Sequence, residues 1–292
     1  MNFSFLFGVF LLIQQVTVPD QIIITHQGKI VSTLNRSDFF SPYFGLPILD
    51  HKKFDEYLDR LDKLVYKEPI NAALDSSGNI IPEQIGFRLS RQAFTEELYG
   101  FYFSNGTAQM KLPILPLYPK VDTELLGHIH SKRIGRYITS FNVSNKTRSK
   151  NISLAAKAIN NVVVFPGESF SFNKIVGKRT AEKGYLRAPV IIRGEFSEDI
   201  GGGICQVSST LFNAVDNAGL KIIQRFSHTR RVPYIPPGRD ATVSWYGPDF
   251  VFKNTYNQPI LIQAKTLGNY LIIKLYSSDV IQYRPKKVPS LL

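Results

Sequence analysis

Residues 201–219 constrain this chain more than any other stretch. Three glycines in a row, Gly201-Gly202-Gly203, run directly into Ile204, Cys205 and Gln206. From Ile204 onward, Val207, Leu211, Ala214, Val215 and Ala218 recur at the spacing of one helical face. Gly219 then supplies the left-handed residue that commonly follows a helix end. The pattern predicts a helix with a fixed beginning and a fixed end. Its first turn holds Cys205, the single Cys among 292 residues.

That position carries chemistry. The unpaired N–H groups and the positive end of the helix dipole favour a thiolate there. Gly202 and Gly203 let a substrate approach the backbone closely, and their N–H groups are suited to an oxyanion. Gln206 adds an amide beside the thiol. Two readings stand on these residues alone: a nucleophile, or a small buried thiol at a tight turn. A phosphate-binding P-loop is excluded, because no Gly-Lys-Ser/Thr follows the glycines. One Cys also excludes a disulfide-stapled scaffold and a Cys-based zinc finger.

A thiol nucleophile needs a base, and the base needs an orienter. Lys221–Arg225 reads as a strand leading to Phe226-Ser227-His228-Thr229. Further on, Gly238-Arg239-Asp240-Ala241-Thr242-Val243 reads as a turn entering a strand. Cys at a helix start, then His and Asp on strands, is the chain order of papain-like and transglutaminase-like thiol enzymes. That is analogy of element order. The roles that follow are Cys205 as nucleophile, His228 as general base and acid, and Asp240 as its orienter. Arg179, Arg225 and Arg239 offer bidentate forks for substrate carboxylates. His128 and His130, with no carboxylate or Cys cluster beside them, read as surface residues. No metal and no cofactor is called for.

Charge divides the chain. Residues 1–130 carry 11 Lys/Arg and 14 Asp/Glu, a net of −3, whereas residues 131–292 carry 24 and 9, a net of +15. The basic half suits an anionic partner. Met1–Val18 has no charged residue and Phe3–Ile13 is almost wholly apolar, which reads as a signal or membrane anchor. Export directs the basic half towards the cell wall and away from nucleic acid. The expected fold is α+β in two domains. Residues 1–20 are the signal or anchor, 21–120 the first domain, 121–136 a linker, 137–280 the second domain and 281–292 a basic tail. Within these, residues 142–151 read as a polar loop and 152–160 as a short helix.

Several runs in the second domain resemble the VanW family, named after an accessory product of vancomycin-resistance clusters. They are Arg148, Asn151-Ile152, Phe165-Pro166-Gly167-Glu168-Ser169-Phe170-Ser171-Phe172-Asn173, Val176-Gly177, Arg179-Thr180, Lys183-Gly184-Tyr185, Gly201–Leu211 and Gly238–Val243. Residues 21–120 resemble the peptidoglycan-binding domain that often precedes VanW and L,D-transpeptidase domains. That likeness rests on the helix over residues 49–66, Pro69-Ile70-Asn71-Ala72, Gly86-Phe87-Arg88-Leu89 and Pro113/Pro119. The resemblance implies an extracytoplasmic protein whose partners are peptidoglycan stem peptides and anionic wall polymers. It also implies cysteine L,D-transpeptidase chemistry, in which a thiolate attacks the carbonyl after meso-diaminopimelate, D-Ala leaves, and an acceptor amine resolves the thioester into a 3→3 cross-link. Cys205 matches the family's Gly-Gly-Gly-Ile-Cys-Gln motif and His228 its His-Ser/Thr motif. Many members carry a second His two residues earlier, where this chain has Phe226. The rival readings are a non-catalytic wall-binding protein and a thiol hydrolase of wall peptides.

Overall fold

The computed structural model describes residues 21–35, 38–43, 46–103, 109–192 and 195–292. The apolar segment Met1–Val18, read as a signal or anchor, lies outside the described residues. Among those described, no helix is long and apolar enough to cross a membrane. The fold is mixed α+β, with six helices and several small sheets among the described residues, and it divides into two compact units.

In the first unit, Gln21–His26 (β1) and Lys29–Asn35 (β2) pair as an antiparallel hairpin. Phe40–Tyr43 (β3) and Leu46–Leu49 (β4) form another. His51–Val65 (α1) follows, its N-terminus capped by Asp50, whose side chain accepts from the Lys53 N–H. Its buried stripe of Phe54, Tyr57, Leu58, Leu61 and Val65 shares one core with Ile22, Ile24 and Phe94. Ala73–Leu74 (β5) and Ile80–Ile81 (β6) form a small hairpin that belongs to the second unit. Gly86–Leu89 (β7), Arg91–Phe103 (α2), Gln109–Lys111 (β8) and Ile114–Leu117 (β9) complete the first unit. Here β8 extends β1 in parallel and β9 pairs antiparallel with β7.

The second unit holds Asn71–Glu83 and Lys120–Leu292. Residues 121–136, expected as a linker, contain a helix, Thr123–Ile129 (α3), and the start of Lys132–Ser140 (β10). Asp122 caps α3, and Leu126 and Ile129 bury themselves beside Ala72, Leu74 and Leu261, so this stretch is folded into the unit. The polar run expected as a loop is instead the first turns of Lys146–Ile159 (α4). Asn145 nucleates that helix by accepting the Arg148 N–H at 3.0 Å. Val162–Val164 (β11), Ser169–Ser171 (β12), Phe172–Val176 (α5), Arg187–Ile192 (β13) and Glu195–Ile200 (β14) lead to the predicted helix, Ile204–Asn217 (α6). Lys221–Gln224 (β15), Val251–Lys253 (β16), Ile260–Leu267 (β17) and Tyr270–Ser277 (β18) finish the order.

The core sheet runs β10-β18-β17-β11, all pairs antiparallel. Helix α6 packs on β10 and β18. Gly135 permits this close approach, because a Cβ there would lie 2.5 Å from the Ala214 carbonyl oxygen. Eleven residues of α6, from Ile204 to Val215, are buried. The helix is therefore enclosed on nearly all sides, and its apolar face is only half of the story. The basic tail is also folded down. Ile281 is buried, the Tyr137 hydroxyl donates to the Pro289 carbonyl, and Lys286 exchanges backbone hydrogen bonds with the Asn217 side chain and carbonyl.

Candidate functional site

Helix α6 carries a polar stripe as well as an apolar one. Cys205, Ser208, Ser209 and Asn213 fall at helical spacing on one face, and the last three are fully buried. Their partners are the backbone groups of residues 239–243. Ser208 Oγ donates to the Ala241 carbonyl, and Ser209 Oγ accepts the Ala241 N–H at 2.8 Å. Asn213 Nδ2 donates to the Arg239 carbonyl at 2.7 Å. The Val243 N–H points at Cys205 Sγ, 3.5 Å away, with the Thr242 hydroxyl at 3.7 Å. The segment of residues 239–243 is thereby laid along the helix and bonded by helix side chains.

This corrects one structural expectation. His228 and Asp240 are not on strands. His228 follows β15 after the chain has left the ladder, and Asp240 lies within the irregular segment of residues 239–243. Pro233, Pro236 and Pro237 interrupt the intervening chain and cannot donate ladder hydrogen bonds. The two side chains nevertheless meet. Asp240 Oδ2 accepts from the His228 backbone N–H at 2.5 Å and lies 2.6 Å from His228 Nδ1. Both side chains are under 10% exposed, at 7% and 9%. With Nδ1 engaged, Nε2 is the ring nitrogen left to serve the thiol.

The electrostatics tie the three residues together. Burial pushes the Cys205 thiol up, but a hydrogen bond to His228 and the imidazolium charge pull it down, helped by the Val243 N–H and the Thr242 hydroxyl. The downward influences win. At residue level Cys205 is half-buried. Burial pushes His228 down, whereas hydrogen bonds to Asp240 and Cys205 raise it, and it stands at about 9. Asp240 remains below the usual carboxylate range despite burial, because His228 bonds to it twice. The arrangement favours a thiolate facing an imidazolium that a carboxylate holds in place.

The glycines act as expected for a tight loop. Gly201 and Gly203 have φ of +93° and +105°, which other residues rarely adopt. Gly202 is required by packing instead, since a Cβ would sit 2.5 Å from the Ala188 carbonyl oxygen. Buried Asn151 of α4 fixes the loop, donating to the Gly202 and Leu186 carbonyls and accepting the Leu186 N–H. In the first turn of α6 the Ile204 and Gln206 N–H groups donate to the Gly201 and Gly203 carbonyls at 3.2 and 3.0 Å.

Not every predicted binding residue faces the thiol. Arg225 donates to the Gly238 and Asp240 carbonyls and covers the Phe212 ring at 4.8 Å. Arg239 is ion-paired to Asp216 at 2.7 Å and bonded to Asn213. Both guanidiniums hold the site's frame. Gln206 is 1% exposed and bonded on all sides, to Thr139, Ser140 and Arg148. It orients Arg148 and is not open to a ligand. Arg179 does lie on the loop, its Cβ and Cγ 3.3 and 3.4 Å from where a Gly201 Cβ would be. Arg148, for which the sequence suggested no role, lies against Gly203. A cap residue three positions before it, Asn145, was the available signal.

Two cavities complete the geometry. One of about 270 Å³ adjoins His228 and Asp240 and is lined also by Arg230, Arg231 and Pro236. A larger one of about 760 Å³ lies in the first unit among Leu49, Phe54, Leu58, Arg91 and Tyr99. Cys205 lines neither of these two cavities, and the smaller one is bounded by its partners His228 and Asp240.

Comparison with known proteins agrees with the sequence resemblance. The family described as VanW like protein matches residues 147–276. The protein YoaR of Bacillus subtilis is 57% identical over 282 residues, covering 97% of this chain and 93% of its own. Vancomycin B-type resistance protein VanW of Enterococcus faecalis is 35% identical over 99 residues, 32% of this chain and 36% of its own. No solved structure matches the chain. With Cys205, His228 and Asp240 all inside the matched segment, the chain belongs to the VanW family.

Proposed function

We propose that the second unit is a thiol acyltransferase of the cell wall, a cysteine L,D-transpeptidase forming 3→3 cross-links through a thioester on Cys205. The observation that carries this reading is the 2.6 Å contact of Asp240 with His228, in a site where His228 lowers the Cys205 thiol and Cys205 raises His228. Their order along the chain is that of papain-like and transglutaminase-like thiol enzymes, although neither His228 nor Asp240 sits on a strand. Phe226, at the family's second His position, is 45% exposed. The Asp240 pairing favours His228 as the base.

In this mechanism the Cys205 thiolate attacks the carbonyl carbon after meso-diaminopimelate. The oxyanion is held by N–H groups of the first turn of α6. The C–N bond breaks, and the D-Ala amine leaves with a proton from the His228 imidazolium. The acceptor amine of a second stem peptide attacks the thioester, gives its proton to His228, and releases the thiolate. Asp240 holds the ring throughout.

The +15 charge of residues 131–292 supports retention on anionic wall polymers. The apolar Met1–Val18 supports export or anchoring, and the first unit supplies the wall-binding module. The relative named for vancomycin resistance fits a place at the cell wall. The test is mass spectrometry of muropeptides incubated with wild type and Cys205→Ala. New 3→3 dimers from wild type alone are expected. Equal dimers from both overturn the nucleophile. Shortened monomers without dimers, dependent on Cys205, make the protein a hydrolase instead.

A further inference from the structure

We propose that Arg148 and Arg179 form an anion subsite on the Gly201–Gly203 loop, and that it selects acyl donors carrying a free carboxylate on the leaving residue. This deepens the acyltransferase reading and rests on it for the donor. The starting observation is charge without a counterion. Among the described residues, the ion pairs of the second unit involve Lys120, His228, Arg239 and Lys286. Arg148 and Arg179 are in none of them, although both are half-buried. Both guanidiniums are partly desolvated while their unpaired nitrogens still reach solvent, so an anion arriving from solvent can meet them.

Their present hydrogen bonds are to neutral groups and use only part of each fork. Arg148 Nη2 donates to Gln206 Oε1 at 2.8 Å. Arg179 Nη1 donates to Asn173 Oδ1 at 2.8 Å and to the Gly177 carbonyl at 3.2 Å. Among the described residues, Arg148 Nε and Nη1 and Arg179 Nε and Nη2 have no acceptor. Each guanidinium is anchored on one edge and open on another, the geometry that a carboxylate meets with two parallel hydrogen bonds. Gln206 is itself fixed by Thr139 and Ser140, so the Arg148 fork is rigidly aimed. Arg239, by contrast, is bonded to Asp216 and Asn213.

The place is beside the nucleophile. A Cβ on Gly203 would stand 2.6 Å from Arg148 Nη1, and one on Gly201 would stand 3.3 Å from Arg179 Cβ. The missing side chains let both arginines lie against the turn that delivers Cys205. Burial lowers both arginines, and the Cys205 charge raises both. An anion held by Arg148 at Gly203 sits on the loop two residues before Cys205, and the Arg179 stem packs on the same loop at Gly201. In a stem peptide cleaved before its terminal residue, that anion is the terminal carboxylate. An internal amide or an amidated end lacks it.

The test uses the full chain and two reagents of similar size. Cys205 alkylation by iodoacetate and by iodoacetamide is timed near neutral pH in wild type, Arg148→Gln, Arg179→Gln and Arg148→Lys. The iodoacetate-to-iodoacetamide rate ratio is expected to exceed that of free cysteine by about tenfold. Each Gln variant lowers the ratio about threefold or more, and Arg148→Lys retains part of it because the charge stays while the fork is lost. A wild-type ratio equal to that of free cysteine overturns the subsite without relying on any variant. So does an unchanged ratio in both Gln variants. The second readout is Cys205 acylation, by intact-protein mass spectrometry, with tetrapeptides ending in a free acid or an amide. At least about tenfold preference for the acid is expected, weakened in Arg148→Gln. Equal acylation overturns the selectivity. No acylation by either overturns the donor claim and the acyltransferase reading together, while the alkylation ratio still decides the subsite.

Discussion

One carboxylate oxygen of Asp240 holds His228 at two points. Oδ2 accepts the His228 backbone N–H and faces ring Nδ1 at 2.6 Å, so position and tautomer are set by a single atom. Asp240 is kept there in turn by α6, whose Ser208, Ser209 and Asn213 bond the backbone on either side of it. Substituting Asp240→Asn leaves the shape but removes the charge that raises His228. Cys205 acylation near neutral pH is expected to fall about a hundredfold. An activity loss under threefold would show that the carboxylate is dispensable.

The thiol and imidazole shift in opposite directions, and this fixes a pH profile. Cys205 is lowered from its ordinary 9 and His228 raised from 6.5 to about 9. The ion pair is therefore present from below the ordinary thiol range up to about pH 9, where the imidazolium loses its proton. Iodoacetamide reactivity of wild type is expected to rise well below the range of an ordinary thiol. In His228→Ala the lowering partner is gone while burial still raises the thiol. The profile then moves to ordinary or higher pH, and the rate at neutral pH drops about tenfold or more. Coincident profiles for the two proteins would refute the pair.

Local signals made α6 and Cys205 legible from the sequence. Three glycines, a helical apolar rhythm and Gly219 all act within a few residues of one another. His228 and Asp240 were legible as residue types but not as strand positions. The segment around Asp240 bonds to side chains of α6, partners about thirty positions away that no local pattern reveals. Arg225 and Arg239 looked like carboxylate binders because a sequence does not show that Asp216 and two carbonyls already occupy them. Arg148 was hidden for the opposite reason. Its polar surroundings mimic a loop, although the cap Asn145 starts a helix there.

The glycine loop makes a prediction of its own. Gly202 is not in the left-handed region, so Ala costs it no backbone strain. It is the Ala188 carbonyl oxygen, 2.5 Å from the new Cβ, and the Ala188 carbonyl carbon at 2.6 Å that must move. Both are backbone atoms of β13 and yield poorly. Gly202→Ala is expected to destabilise the protein by about 1–3 kcal/mol in urea unfolding. It also displaces the loop that aims Cys205, so iodoacetamide reactivity falls with it. Wild-type stability in this variant would mean that the loop and β13 separate easily.

Asn213 tests whether the frame sets the chemistry. It is fully buried on α6, two turns beyond Cys205, and it touches neither Cys205 nor His228. Its amide donates to the Arg239 carbonyl, and its oxygen accepts Arg239 Nε at 2.8 Å. Asn213→Ala leaves those groups without a partner in the interior, a cost of about 1–3 kcal/mol. Arg239 keeps its bond to Asp216, so the segment stays attached but its register next to Asp240 loosens. His228 then loses part of the support that raises it. The expected result is a lower unfolding midpoint together with an alkylation profile shifted towards that of His228→Ala. A stability loss with an unchanged profile would separate the frame from the site and confine Asn213 to folding.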